Sequence, residues 1–274
     1  MLVNTEDFEG YAIGASDGPI GHVRDYYFDD AVWVIRYLIV DTGNWLASRK
    51  VLISPISLGP PDKVTRLLPV SITQDQVRRS PDINTDNPVS RQHELDYFAH
   101  YGYSNYWEAD SIWDHGVYPN TLLHDHEEFG SPAASLATNA HAKRDAARHQ
   151  DYDSHLHSCK AVEGYHVHAT DGEIGHIEGL VIDDRSWAIH YLVVNTSNWW
   201  LGHHVLVAPT WIADVSWFDS MVSVKVARQA IKDAPAYDPA KPIDRAYETR
   251  LHQHYRRPGY WQNAAVVETD ILRI

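Results

Sequence analysis

Short apolar runs, punctuated by Gly, Asp and Asn, set the expected elements of this chain. The runs "GYAIGAS" and "IGHVRDYYFD" flank Asp17-Gly18, a turn signal because glycine takes positive φ at little cost, and together they predict a hairpin. After Asp29-Asp30 comes "AVWVIRYLIVDT", rich in β-branched and aromatic residues, with Trp33, Ile35, Tyr37 and Ile39 alternating onto one face. This predicts a third strand. "TGNW" turns the chain again, and "KVLISP" and "TRLLPVSIT" bring the count to about five or six short antiparallel strands. Strands this short are expected to close into a small barrel, which removes exposed edges.

Helical signals follow the strands. Thr73 with Gln76 three residues on reads as a capping box opening "QDQVRRS", which ends before Pro81. In "NPVSRQHELDYFAHYG", Ser90 is the expected N-cap, Glu94 lies in the first turns and Gly102 is placed to stop the helix. The aromatic ending "YSNYW" is expected to dock back on the barrel.

The same succession returns later in the chain. "DGPIGHVRDYYFDD", Asp17 to Asp30, reappears as "DGEIGHIEGLVIDD", Asp171 to Asp184, and an offset of 154 then holds without a gap. Gly10, Gly21, His22, Trp33, Tyr37, Trp45, Pro55 and Glu94 each meet the same residue 154 positions on, as do Tyr106 and Trp107 in the tail. We therefore expect a mainly β fold with short helices: two small antiparallel barrels, each followed by C-terminal helices and related by internal duplication. The expected boundaries are 1–108 for the first copy, 109–154 for a linker and 155–274 for the second copy, with the late helices starting near Ser90 and Asp244. The linker is rich in His and Ala. Its stretch Pro132 to Gln150 is a candidate helix without a sustained apolar face.

Composition narrows the function. Lys plus Arg number 23 against 37 Asp plus Glu, a formal charge of −14 with 18 His held neutral. Nucleic acid and anionic membrane surfaces are disfavoured by the same Coulomb argument. Cys159 is the one cysteine, which excludes an intrachain disulfide and fits a reducing compartment; lying in an approach expected to be exposed, it reads as a spectator thiol. The start "MLVNTEDFEGY" lacks a basic region followed by an apolar run, and the longest apolar stretches are short and interrupted by Arg36 and His190. A cytoplasmic protein with no membrane insertion is expected.

The order "DGxIGHV", "FDD", "IRYLIVDTGNWL" and "KVLISP", followed by an "SR..E" helix and a terminal "YW", resembles the PRC-barrel family, here in tandem. The resemblance spans nearly all of both copies and leaves out the linker. It implies a small β-barrel like those of the photosynthetic reaction-centre H subunit and the ribosome-maturation factor, acting as a binding and assembly module in a bacterium. The chain has no transmembrane anchor like the first and no basic face like the second.

Candidate chemistry is sparse. His22 and His176 occupy equivalent positions beside Gly21 and Gly175, yet one imidazole per barrel is not a ligand set. "HDHEE" and "HLH" supply metal-ligand types at close spacing, and adventitious binding is the simpler account; "GHH" at 202–204 replaces the "SRK" of the first copy. Asp17, Asp171 and the "DD" pairs sit in turns, where Asp is expected for local hydrogen bonding rather than acid–base work. Trp33 and Trp187 are expected inside a strand as core. Trp45 and Trp199 follow a turn, as barrel lids or contact residues. No catalytic, metal or cofactor residue is assigned.

The expected function is a non-enzymatic binding or assembly module whose protein partner the sequence does not name. Two alternatives stand beside it: a small-ligand or metal-binding protein or enzyme with a site between the barrels, and a ribosome- or RNA-associated factor. Tandem barrels imply an internal pseudo-dimer, with a true homodimer as a further step, and the aromatic tails are the expected means of exchange. The linker can span on the order of 35 Å as a flexible chain, enough for such a crossing. Trp107, Trp261, Tyr106 and Tyr260 are accordingly candidate contact residues, beside Trp45 and Trp199.

Overall fold

The computed structural model describes residues 1–81, 89, 91–103, 155–196 and 203–261. They form a mainly β structure with two sheets and short helices. In the first repeat the strands are β1 (Leu2–Asn4), β2 (Ala12–Ala15), β3 (Gly18–Asp29), β4 (Val34–Asp41), β5 (Lys50–Ile53) and β6 (Leu67–Pro69), followed by helices α1 (Gln74–Arg78) and α2 (Arg91–Tyr101). The second repeat carries β7 (Leu156–Ser158), the single turn α3 (Cys159–Val162), β8 (His166–Ala169), β9 (Gly172–Asp183), β10 (Ile189–Asn195), β11 (His204–Val207), β12 (Ile212–Ser216), β13 (Met221–Val224), α4 (Arg228–Lys232) and α5 (Arg245–His254).

Registers coincide at the offset of 154. Ala12 pairs His22 and Ile13 pairs Gly21 on β2 and β3, with a shift after Ile13; His166 pairs His176 and Val167 pairs Gly175 on β8 and β9, with the shift after Val167. The capping box on α1 forms as expected, with both the Thr73 and Gln76 side chains engaged. Asp244 caps α5 by accepting the Tyr247 N–H. Ser90 and the Pro132–Gln150 stretch lie outside the described residues.

The expected closed antiparallel barrels are corrected on two points. The first sheet runs β5-β4-β3-β2-β6 and the second β11-β10-β9-β8-β13-β12, with no strand pairing joining the ends of either path among the described residues. In addition, β2 pairs β6 in parallel, and β8 pairs β13 in parallel. The physical reason is local. In both repeats the chain turns away after the strand that follows β4 or β10, through the 3-10 turn Pro209–Trp211 after β11 and Pro55–Ser57 after β5, which interrupts the ladder. The Pro55–Ser57 turn bridges the gap with isolated bonds, Gly59 N–H to Pro69 O at 2.8 Å and Ser71 N–H to Ser57 O at 2.9 Å.

Two compact units result, and neither is a plain half of the chain. The first takes in Met1, Thr5–Ala161 and Asp183–Ile189; the second takes in Leu2–Asn4, Val162–Ile182 and His190–Ile274. In the first unit β7 pairs β3, with Tyr27 opposite Ser158 and Asp29 opposite Leu156. In the second, β1 pairs β9. Since β1 and β7 sit at equivalent repeat positions, each unit completes its sheet with the opening strand of the other repeat. The described portions of α2 and α5 stay with their own repeats, and the exchanged elements among the described residues are the strands β1 and β7.

The first core gathers Tyr27, Tyr37, Leu52, Tyr97, Phe98 and the contributed Leu156. Trp33 and Trp187 correct a further expectation. Neither lies in a strand: both occupy turns with left-handed backbones, φ 57° and 61°. The turns pair within the first unit, Ile35 N–H to Trp187 O at 2.9 Å and Ile189 N–H to Trp33 O at 2.8 Å. Trp187 is 2% exposed and packs its ring near Phe8 and Tyr26, whereas Trp33 stacks on Phe28 and stays half-buried. Cys159, expected in an exposed approach, is buried.

Candidate functional site

The shared punctuation of the repeats is structural. Asp17 Oδ1 accepts the Gln74 N–H at 2.7 Å, and Asp171 Oδ1 accepts the Arg228 N–H at 2.7 Å. Each exposed carboxylate thereby holds the first turn of the following helix, α1 or α4, against the β2–β3 or β8–β9 turn. Gly21 and Gly175 are required by close approach, since a Cβ would stand 2.0 Å from the carbonyl oxygen of Asp41 or Asn195. His22 beside them is exposed and His176 half-buried, the latter opposite His166, whose Nδ1 lies 2.8 Å from Glu173.

A buried polar pair recurs beneath each sheet. Tyr37 donates to Glu94 Oε1 at 3.0 Å in the first unit, and Tyr191 donates to Glu248 Oε1 at 2.9 Å in the second. Burial pushes the Tyr191 hydroxyl far above its ordinary range, and the Glu248 charge adds to it. The partners beyond the pair differ. Glu94 is 0% exposed and its second oxygen lies 3.2 Å from His155, the residue just before β7. Glu248 meets Arg245 at 2.9 Å, while His252 Nε2 lies 3.0 Å from the Tyr191 hydroxyl and its Nδ1 lies 2.9 Å from Pro258 O. Desolvation lowers the His252 pKa, so the neutral ring is favoured.

The "HLH" segment is placed by carboxylates. His155 reaches Glu94, His157 Nε2 lies 3.2 Å from Asp30, and Ser158 donates to Asp25 Oδ2 at 2.5 Å. Burial pushes the Asp25 pKa up, against the lowering effect of that hydroxyl and of the Tyr26 and Lys160 amides. These contacts seat β7 on β3. The second histidine of "GHH", His204, pairs with Glu178, and "HDHEE" lies outside the described residues. Among the described residues, no group of three or more His, Cys, Asp or Glu is placed to hold a metal ion.

Of the singled-out aromatics, Trp45 is half-buried and donates its indole N–H to Ile20 O at 2.5 Å, with Arg78 over its ring at 5.8 Å. Trp261 packs edge-on to His252 and lies beneath the Arg245 guanidinium at 4.2 Å; Tyr260 stacks on His190 at 3.9 Å. Trp199, Trp107 and Tyr106 lie outside the described residues.

One feature escaped the sequence reading. Val64 is 94% exposed and Phe218 is 98% exposed, and they are equivalent positions on the turns leading into β6 and β13. Both turns are pre-set by their own bonds. Asp62 accepts from the Val64 and Thr65 amides and the Thr65 hydroxyl, while Ser216 donates to Asp219 Oδ2 at 2.6 Å and accepts the Asp219 N–H. The left-handed residue recurs too, as Arg66 and Ser220. Available in the sequence was an apolar residue within a polar turn, "DKVTR", matched at the repeat offset by "SWFDS", where Trp217 stands beside Phe218.

No protein-family profile matches the chain. A protein of Deinococcus radiodurans, described only as uncharacterized, is 33% identical over 81 residues, a stretch covering 30% of this chain and 29% of that protein. No described helix is long and apolar enough to cross a membrane.

Proposed function

We propose that this chain is a non-enzymatic binding and assembly module of bacterial, cytoplasmic type, built from two duplicated domains of the PRC-barrel kind with open sheets. The observation that carries the reading is the pair of equivalent turns presenting Val64 and Phe218, nearly fully exposed, to solvent. The coincident registers support the duplication. Support also comes from the engagement of the polar repeat positions: Asp17 and Asp171 hold helices, and the buried glutamates are bonded to tyrosines. A net charge of −14 favours a protein partner over nucleic acid.

Affinity capture followed by mass spectrometry tests this. A specific partner should be retained by the full chain and lost by a Val64→Asp/Phe218→Asp double variant that keeps its β-rich circular dichroism. An unchanged partner set with the double variant overturns the reading.

A further inference from the structure

The second unit carries both halves of a docking contact. Phe218 stands free at the turn between β12 and β13, flanked by the exposed carboxylates of Asp214 and Asp219. At the opposite end of β13, where α4 follows, there is a depression open to solvent. It is lined by Thr196, His203, Val205, Ile231, Lys232, Ala234 and Ala236. The nearby Asp233 is held by the Gln229 amide at 3.0 and 2.9 Å.

The first unit shows why this depression is open. Its equivalent of His203 is Arg49, whose guanidinium spans the same place and donates to Arg78 O at 3.2 Å and Ser80 O at 2.6 Å. Histidine is shorter, and in the second repeat alanine replaces serine at Ala234, so the place stays open, with a mixed lining in which Val205, Ile231, Ala234 and Ala236 supply the apolar part. The phenylalanine is matched to it in character. An aromatic ring packs on that apolar part, and the acidic flanks of the turn complement Lys232.

We propose that Phe218 of one chain seats in the Val205–Ile231–Ala234 depression of a second copy. Projection and recess lie at opposite ends of β13 and on strands near the two ends of the sheet path, β12 and β11. The contact is therefore heterologous and repeats from copy to copy rather than closing in a symmetric pair. A single anchor in a small contact makes it weak, with association on the order of 100 µM. This rests on the assembly reading and names its partner as the chain itself.

Sedimentation velocity on the full chain, from about 10 µM to about 1 mM around that affinity, tests it. The average mass should climb with concentration and fall back as salt is raised. Phe218→Asp removes the projection and Ala234→Trp fills the recess; each should remain monomeric over the same range. Lys232→Glu should weaken association at least about tenfold, as loss of a complementary charge beside an anchor does. The decisive sample is an equimolar mixture of Phe218→Asp and Ala234→Trp. Each has one intact half, so the mixture should form a one-to-one dimer and nothing longer. Self-association is overturned by a wild-type chain that stays monomeric throughout, by a Phe218→Asp variant that assembles like wild type, or by a mixture that fails to pair. Binding of monomeric wild type to phosphatidylcholine vesicles through Phe218 also overturns it. A monomeric chain that still captures a foreign protein through Phe218 sinks self-association alone and spares the binding module.

Discussion

The Tyr37 hydroxyl lies 3.0 Å from Glu94 Oε1, and the relation recurs as Tyr191 to Glu248 at 2.9 Å. In both repeats it ties the strand after the Asp-Asp turn to the last described helix, joining two elements far apart in sequence through one buried bond. A carboxylate at 0% exposure is tolerated only with its oxygens engaged, and Glu94 has Tyr37 on one and His155 on the other.

Glu94→Ala should therefore destabilise the first unit by about 3 kcal/mol, since it orphans a buried tyrosine hydroxyl and a buried imidazole together. Urea unfolding followed by circular dichroism measures it. Adding Tyr37→Phe to Glu94→Ala should cost less than the sum of the two single changes. Strict additivity would show that the two groups do not act together.

Leu156 belongs to the second repeat by sequence and to the first core by packing, at 1% exposure. Leu156→Ala should cost about 3 kcal/mol as a core truncation. Hydrogen exchange should rise first in β3 and β4, not in β9 and β10. The opposite pattern would mean that β7 serves its own repeat.

Gly21→Ala and Gly175→Ala should each exceed about 4 kcal/mol or prevent folding, because the added methyl meets a backbone carbonyl that cannot withdraw. Gly43→Ala is the control. Its φ of +61° is strained for alanine, yet its Cβ would meet nothing within 4 Å, so a loss of about 1 kcal/mol is expected. Thermal unfolding of the three variants checks the order.

Acidification should loosen the second unit. The His252 pKa is lowered from 6.5 in the fold, so as pH falls through 6.5 toward the folded value the unfolded chain takes up the proton first and stability drops. The first repeat has Phe98 at the equivalent position. His252→Phe should thus keep the Tyr191–Glu248 bond and flatten the dependence on pH below 6.5. Denaturation midpoints of wild type and variant at pH 5 and pH 7, either side of the ordinary histidine pKa, compare the two slopes.

The histidines of "HLH" show how local legibility ends. His155 and His157 are close in sequence, as metal ligands often are, yet they diverge to Glu94 and Asp30. Alternation alone would put two residues at this spacing on one face, but His155 stands just before β7 begins, and no count of residue types reveals which carboxylates wait beside each. Phe218 was missed for a like reason. Two aromatics stand side by side in "SWFDS", and only the folded turn leaves Trp217 half-buried and Phe218 exposed.

The sequence by itself determined the turns, the hairpins, the Thr73 capping box, the Asp244 cap and the repeat at an offset of 154. The turns, hairpins and caps depend on residues within a few positions of one another, where glycine freedom, side-chain capping and alternation act directly, and the repeat is read by laying the chain on itself. Only the tertiary structure decided which strand completes which sheet, that the sheets stay open, that Trp187 and Cys159 are buried, and that His203 leaves a recess where Arg49 fills one. Those outcomes turn on partners such as Asp25 and Ser158, 133 residues apart. β1 and β7 carry equivalent positions and both repeats present similar edges, so the local pattern suits either pairing. The choice between them is made by long-range packing and chain connectivity, which no local period encodes.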